Sequence, residues 1–290
     1  MSFSEKLINV TFKLGTGSFG ESGIDTATVS NLRVRASIHQ AGGASMGQCH
    51  LTVYGLPPSM LNQLTALRKQ IMMLRKDFVS VEAGDSNGTS LIFQGQITEG
   101  WTNLNSIPNS VLQMAAYSGA FEAVKPVTAT SYPGAANVDD IMKTIAGKMG
   151  LAYQNNGVSV SLSRPYFSGT GREQAQACAE HADINWLIEN GTLFIWPKGS
   201  AKGTIKTPVS ADTGMVGYPA FDGVGVSITT LFNPQITYGS YVDVDSVIKQ
   251  ANGKWYVYSV SHELESQTPG GQWFTHFHAA PPYQTHVLPK

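Results

Sequence analysis

Short apolar runs, alternating with polar positions and cut by Gly, Pro and Asn, fill most of this chain and predict strands rather than long helices. In the first part, Leu7–Leu14, Val29–His39, Gln48–Tyr54, Phe78–Ala83, Ser90–Leu104 and Ser110–Ala116 read as strands. Turn signals stand at Gly42-Gly43 and Asp85-Ser86-Asn87-Gly88. One helix interrupts them. Pro57-Pro58 opens it, and Met60, Leu61, Leu64 and Leu67 form its apolar stripe, which predicts about three turns covering one end of a small barrel.

The pattern changes after residue 118. Pro126, Pro133 and Gly134, among small residues, mark Ala123–Ala136 as a linker. A helix is predicted over Val138–Met149, with Ile141, Met142 and Ile145 inward, Asn137 as N-cap, Asp139 and Asp140 in the first turn, and Gly150 as its stop. Arg172–Ala182 reads as a second helix, and Asn185–Trp196 as a hairpin turning at Asn190-Gly191. The polar stretch Lys198–Lys206 leads out of this α+β unit.

From Gly214 to Ala280 the chain returns to short strands rich in β-branched and aromatic residues, followed by Pro281-Pro282 and a short tail. The expected architecture is therefore mainly β with an α+β insert. A β-barrel domain over 1–118 and a second over 205–290 flank a linker and α+β unit over 119–204.

Composition narrows the function classes. Charged residues are 13% of the chain, about half the usual share, which suits subunits that bury much of their surface against neighbours. A net charge of −1 supplies no field to attract a polynucleotide, so nucleic-acid binding is not expected. Cys49 and Cys178 match no metal or redox spacing and fit a reduced chain with two structural thiols. The N-terminus has no apolar signal region, and no window approaches the roughly 20 apolar residues of a membrane span. A protein made and kept in the cytoplasm, without membrane insertion, is expected.

Three motif matches suggest chemistry, and each lacks its partners. Leu14-Gly15-Thr16-Gly17-Ser18-Phe19-Gly20 resembles a phosphate-cradling loop. The Lys, His-Arg-Asp and Asp-Phe-Gly elements of a kinase do not follow, and Glu21-Ser22-Gly23-Ile24-Asp25 does not open the helix a dinucleotide site requires. Gly43-Ala44-Ser45-Met46-Gly47 has the form of a nucleophile elbow, but Gln48–Tyr54 after it reads as a strand where an elbow needs a helix. His276 and His278 share a strand face, and a hairpin about Pro269-Gly270-Gly271 brings His262 opposite them. Three imidazoles could in principle hold zinc, but no acidic or Cys partner at ligand spacing accompanies them, so a cross-strand cluster of His and aromatic side chains is expected instead.

Weaker candidates read the same way. Asp243 and Asp245 on one strand face, and Glu180, His181 and Asp183 at a helix end, bring no nucleophile or second carboxylate and are solvated faces. Arg68, Lys69, Arg75 and Lys76 make a basic helix end. No catalytic, cofactor-binding or metal-binding residue is assigned.

The strings Gly214-Met-Val-Gly-Tyr-Pro-Ala-Phe221, Val224–Ile236, Tyr238–Asp245, Gly253–Val257 and Trp273-Phe274-Thr275 resemble the C-terminal domain of the baseplate hub protein of contractile-tailed bacteriophages. Pro165–Arg172, Gln174-Ala175, Ala179-Glu180-His181-Ala182 and Glu189–Pro197 resemble the middle domain of such hubs. The likeness is strongest over roughly 130–280.

The resemblance implies a trimer in which each subunit contributes two tail-tube-like β-barrels. The result is a pseudo-six-fold ring joining a hexameric tail tube, or a tube-initiator protein, above to a trimeric spike below. Other baseplate proteins surround it, and the virion tail baseplate is its final location after assembly in the host cytoplasm. The alternatives from other classes are a cell-wall-directed hydrolase acting through Ser45 or the His cluster, and a carbohydrate-binding β-protein using exposed Trp and Tyr.

Overall fold

A computed structural model describes residues 5–20, 23–65, 76–103 and 110–282. The chain divides into two units. One comprises Met1–His39, Gly47–Phe121 and His262–Trp273, and the other Gln40–Met46, Glu122–Ser261 and Phe274–Lys290.

The first unit is built on β1 (Leu7–Lys13), β2 (Thr26–Val29), β3 (Val34–Gln40), β4 (Gln48–Tyr54), β5 (Phe78–Asp85), β6 (Gly88–Asn103) and β7 (Val111–Tyr117). The strands run in the order β3-β4-β7-β6-β5-β1-β2, every pairing antiparallel. Period-two patterning explains the burial. In β1, Ile8, Val10 and Phe12 are buried while Lys13 is exposed, and in β3 Val34, Ala36 and Ile38 face inward. The single strand expected over Val29–His39 is two strands, because Asn31 takes a left-handed conformation at φ 59° and turns the chain.

A helix at Pro58–Leu64 buries Leu61 and Leu64, and Thr65 is its C-cap. Leu67 of the predicted stripe lies outside the described residues. The hairpin His262–Trp273 completes this unit. Its turn is closed by Gly271 N–H to the Thr268 carbonyl at 3.0 Å, with Gly270 at φ 69°.

In the second unit, β8 (Thr130–Ser131) pairs with β12 (Tyr166–Phe167), and β9 (Ala135–Asn137) with β11 (Ser161–Ser163). β10 (Ala152–Asn155) lies parallel to β14 (Thr192–Pro197), which is antiparallel to β13 (Ile184–Glu189). Two helices cover this small sheet. The Val138–Met149 helix starts where Asn137 accepts from the Asp139 N–H and stops at left-handed Gly150, as its sequence predicts.

The Gly171–Ala182 helix opens on a reciprocal Thr170/Glu173 capping box and ends at left-handed Asp183. Ile141, Met142, Ile145, Cys178, Trp186, Leu193 and Ile195 share one core. Asn190 and Gly191 both have positive φ, which suits the two-residue hairpin turn they were expected to form.

A separate core belongs to the final strands, with Val226, Ile228, Val242, Val257, Val260 and Phe277 at its centre. β15 (Lys206–Val209) runs parallel to β18 (Tyr241–Val244), which pairs with β19 (Gly253–Ser266). β16 (Met215–Phe221), β17 (Val226–Leu231) and β20 (Trp273–Ala280) continue the order β16-β17-β20-β19. Only residues up to Ser261 of β19, and from Phe274 of β20, belong to this unit.

The architecture is mainly β with an α+β insert, as expected, but among the described residues neither strand path closes into a barrel. Closure requires the terminal strand to pair at both edges. In the first unit β2 has only four residues and pairs with β1 alone. In the second, β16 is broken by a register shift between Val216 and Ala220, has Gly217 at φ 73°, and includes Pro219, which has no N–H to donate.

Candidate functional site

The Gly43–Gly47 segment does not form a nucleophile elbow. It is the connection between β3 and β4, and a strand follows it. Its carbonyls are engaged instead: Arg172 Nη2 donates to the oxygens of Gly43, Ala44 and Ser45 at 3.1, 3.1 and 2.9 Å. The Gly43 N–H donates to the Trp186 carbonyl at 3.0 Å, which satisfies the outer edge of β13. Gly42 must lack a side chain, because a Cβ there would lie 2.0 Å from the ring of Tyr238.

Arg172 is 8% exposed, stacks over Trp186 at 5.0 Å, and is pulled to about 10 by burial against a smaller opposing effect of Glu122. It stays cationic at neutral pH. Sequence reasoning missed its role, although one signal was present. A cation in the first turn of a helix opposes the helix dipole, so Arg172 must be held there by something else.

The glycine loop at Leu14–Gly20 is tied into the β framework. Leu14 N–H donates to the Asp25 carbonyl at 2.8 Å, Gly15 N–H to Asp77 Oδ1 at 2.9 Å, and Phe19 forms a bridge with Ile24. Glu21 and Ser22 lie outside the described residues, as do Arg68, Lys69 and Arg75 of the basic cluster. Lys76, its remaining member, sits over the ring of Phe121 at 4.3 Å.

His276 and His278 have different partners. His262 is buried in the first unit. In the second, His276 Nδ1 lies 2.8 Å from Thr229 Oγ1, and His278 Nδ1 lies 3.3 Å from Asp222 Oδ2 with the Tyr258 ring 6.0 Å away. Asp222 also accepts from the Gly225 and Val224 N–H groups, which holds its carboxyl below the usual range. Among the described residues, no group of three or more His, Cys, Asp or Glu side chains is placed to hold a metal ion.

The weaker candidates are dispersed. Asp243 is exposed opposite Lys254, Asp245 follows the end of β18, and Asp183 pairs with Lys198. Cys49 and Cys178 are buried free thiols raised by desolvation, Cys178 to about 12. Among the described residues, no helix is long and apolar enough to cross a membrane.

What the surface does offer is sheet edge and apolar side chains. The β16–β17 hairpin exposes Val216, Tyr218, Phe221 and Leu231, with Tyr218 at 71%. β16 carries no charged residue, although Pro219 and the register shift interrupt its edge.

The fold is that of a phage tail protein. It matches the 43 kDa tail protein of prophage MuSo2 from Shewanella oneidensis at TM-score 0.62 and 11% identity, covering 96% of this chain and 98% of that one. The tail protein of Neisseria meningitidis MC58 gives TM-score 0.64 at 10% identity, covering 94% and 96%. The c3393 protein of E. coli is a component of the type VI secretion system and resembles the T4 bacteriophage tail proteins gp27 and gp5. It matches at TM-score 0.59 and 9% identity, covering 93% of this chain and 76% of that one. Among curated proteins the sequence finds no match. Residues 7–274 match the baseplate hub gp41 family, and the chain belongs to it.

Proposed function

We propose that this hub protein is a structural subunit that assembles as a homotrimer, forming a pseudo-six-fold ring that joins the hexameric tail tube to the trimeric central spike. The observation that carries this reading is the pair of terminal strands, β2 and β16, each paired along one edge only among the described residues. Strand edges invite pairing in trans, and unlike edges meeting between copies form a ring when the rotation between copies closes. The charge-poor composition supports burial of that surface.

In this reading residues 1–118 and 205–290 are the tube-like β domains, and 119–204 is an insert on the outer rim. Tube or tube-initiator protein lies above, spike protein below, and other baseplate proteins around it, in the virion tail after assembly in the host cytoplasm. The likeness of the c3393 protein to two T4 tail proteins supports a place among hub and spike components. The reading includes no enzymatic activity. Its support is that Ser45 lies in a loop bound through its carbonyls and followed by a strand.

Light scattering of the purified chain, with electron microscopy of the same sample and of tails containing it, tests the proposal. A three-fold ring whose subunit interfaces bury more than ~1,000 Å² each is expected. A strictly monomeric species at high concentration, with no ring in the assembled tail, overturns it.

A further inference from the structure

The Gly171–Ala182 helix borders a cleft of about 330 Å³, near the lower end of the size range for ligand clefts. Glu173, Gln176, Ala177 and Glu180 line it at helical spacings of three and four, so they share one face. Ala44, Ala123 and Trp186 form other parts of its wall. Three alanines leave the interior open and apolar.

Two carboxylates and one guanidinium line the cleft, but they are not equally available. Arg172 is nearly buried, with Nη2 committed to three carbonyls and its plane over Trp186. The carboxylates belong to the exposed face and are already oriented. Thr170 donates its N–H and hydroxyl to Glu173 Oε2 at 2.8 and 3.0 Å. Trp186 Nε1 donates to Gln176 Oε1 at 2.9 Å, and Gln176 Nε2 in turn donates to Glu180 Oε1. Donation by the Thr170 N–H and hydroxyl holds the Glu173 carboxyl below the usual range.

An apolar interior with preoriented carboxylates complements one kind of side chain, a long aliphatic stem ending in a planar cation. We propose that this cleft receives an arginine side chain from a neighbouring tail protein, its stem among Ala44, Ala123 and Ala177 and its guanidinium at Glu180, while Glu173 remains the helix cap. Only the identity of the donor as a tail protein rests on the assembly reading. The ligand chemistry does not.

The test uses N-acetyl-L-arginine amide, titrated into the full-length ¹⁵N-labelled protein while the Trp186 indole resonance is followed. That resonance is assigned by its loss in Trp186→Phe. A saturable shift at millimolar concentrations is expected, weakened about tenfold in Glu180→Gln, because one charge-assisted hydrogen bond is exchanged for a neutral one. Filling the cleft with Ala177→Leu should abolish the shift while the remaining indole resonances stay in place. The uncharged N-acetyl-L-norleucine amide should give no saturable shift, and the glutamate analogue none.

The proposal is overturned by no response to the arginine probe, by an equal response to the norleucine probe, or by arginine binding unchanged in Glu180→Gln. A response confined to the lysine analogue also overturns it. A chain that binds the arginine probe yet never trimerises supports the cleft and sinks the ring, and a trimer indifferent to the probe does the reverse.

Discussion

Arg172 Nη2 donates to the Ser45 carbonyl at 2.9 Å, across 127 residues of sequence. The contact turns a motif that looks catalytic into an attachment. The Gly42–Gly47 connection is a polar loop whose successive carbonyls need donors, and one buried guanidinium serves three of them.

Replacing Arg172 with Met should therefore cost about 1–2 kcal/mol, since it removes the hydrogen bonds that hold the loop carbonyls and the stack on Trp186. Arg172→Lys should recover only part of this, because an ammonium cannot match the planar fork. Thermal unfolding reads the loss, and limited proteolysis should show new cleavage between Gly42 and Gly47. Equal stability of the Met variant and the parent would contradict the attachment.

Gly239 sits at φ 79°, and a Cβ there would lie 2.9 Å from Trp196 Cζ2. Trp196 also meets Tyr238 edge to face at 6.1 Å. Gly239→Ala should destabilise the chain by about 1–3 kcal/mol from strain and overpacking together. Chemical denaturation with an unchanged m-value checks it.

Val257 is fully buried in the core shared by Val226, Val242 and Phe277. Val257→Asp places an unpaired carboxylate there, which costs several kcal/mol, about what a domain has to spare. Soluble, folded protein should be lost. Recovery of a folded Val257→Asp chain by circular dichroism would show the position to be misassigned.

Asp222 accepts from Gly225 at 2.7 Å and Val224 at 2.8 Å, with His278 nearby, and its carboxyl titrates below the usual range. The folded state favours the ionised form. Its contribution is complete above the unfolded carboxyl pKa of about 3.9 and is lost as the pH falls through the lower folded value. The amide resonances of Val224 and Gly225 should move with that titration, and Asp222→Asn should remove it. A titration midpoint above the ordinary range would refute the hydrogen-bonding account.

Ser45→Ala and His278→Ala should leave no enzymatic activity to lose. Neither residue is joined to the partners that catalysis requires. Ester, peptidoglycan or nucleotide hydrolysis that disappears with either change would establish a site where none is assigned.

Local signals were legible along the chain wherever the physics is local. Asn137 and Gly150 bound their helix as read, because capping is decided within a turn by one side chain and one left-handed residue. Asn190-Gly191 set its hairpin for the same reason, and alternation in β1 and β3 marked which side chains would be buried. The break at Asn31 was less visible. A left-handed corner inside an apolar run leaves the surrounding pattern intact.

Relations between distant residues were decided only in three dimensions. Nothing near Ser45 announces Arg172, and nothing near Gly42 announces the Tyr238 ring that forbids it a side chain. The open strand paths belong to the same level, since closure depends on whether terminal strands meet. So does the cleft at Glu180, whose wall joins residues 44, 123 and 186. Propensity and capping act over a few residues, whereas a guanidinium among carbonyls or a cleft between alanines exists only once chain segments far apart in sequence are packed together.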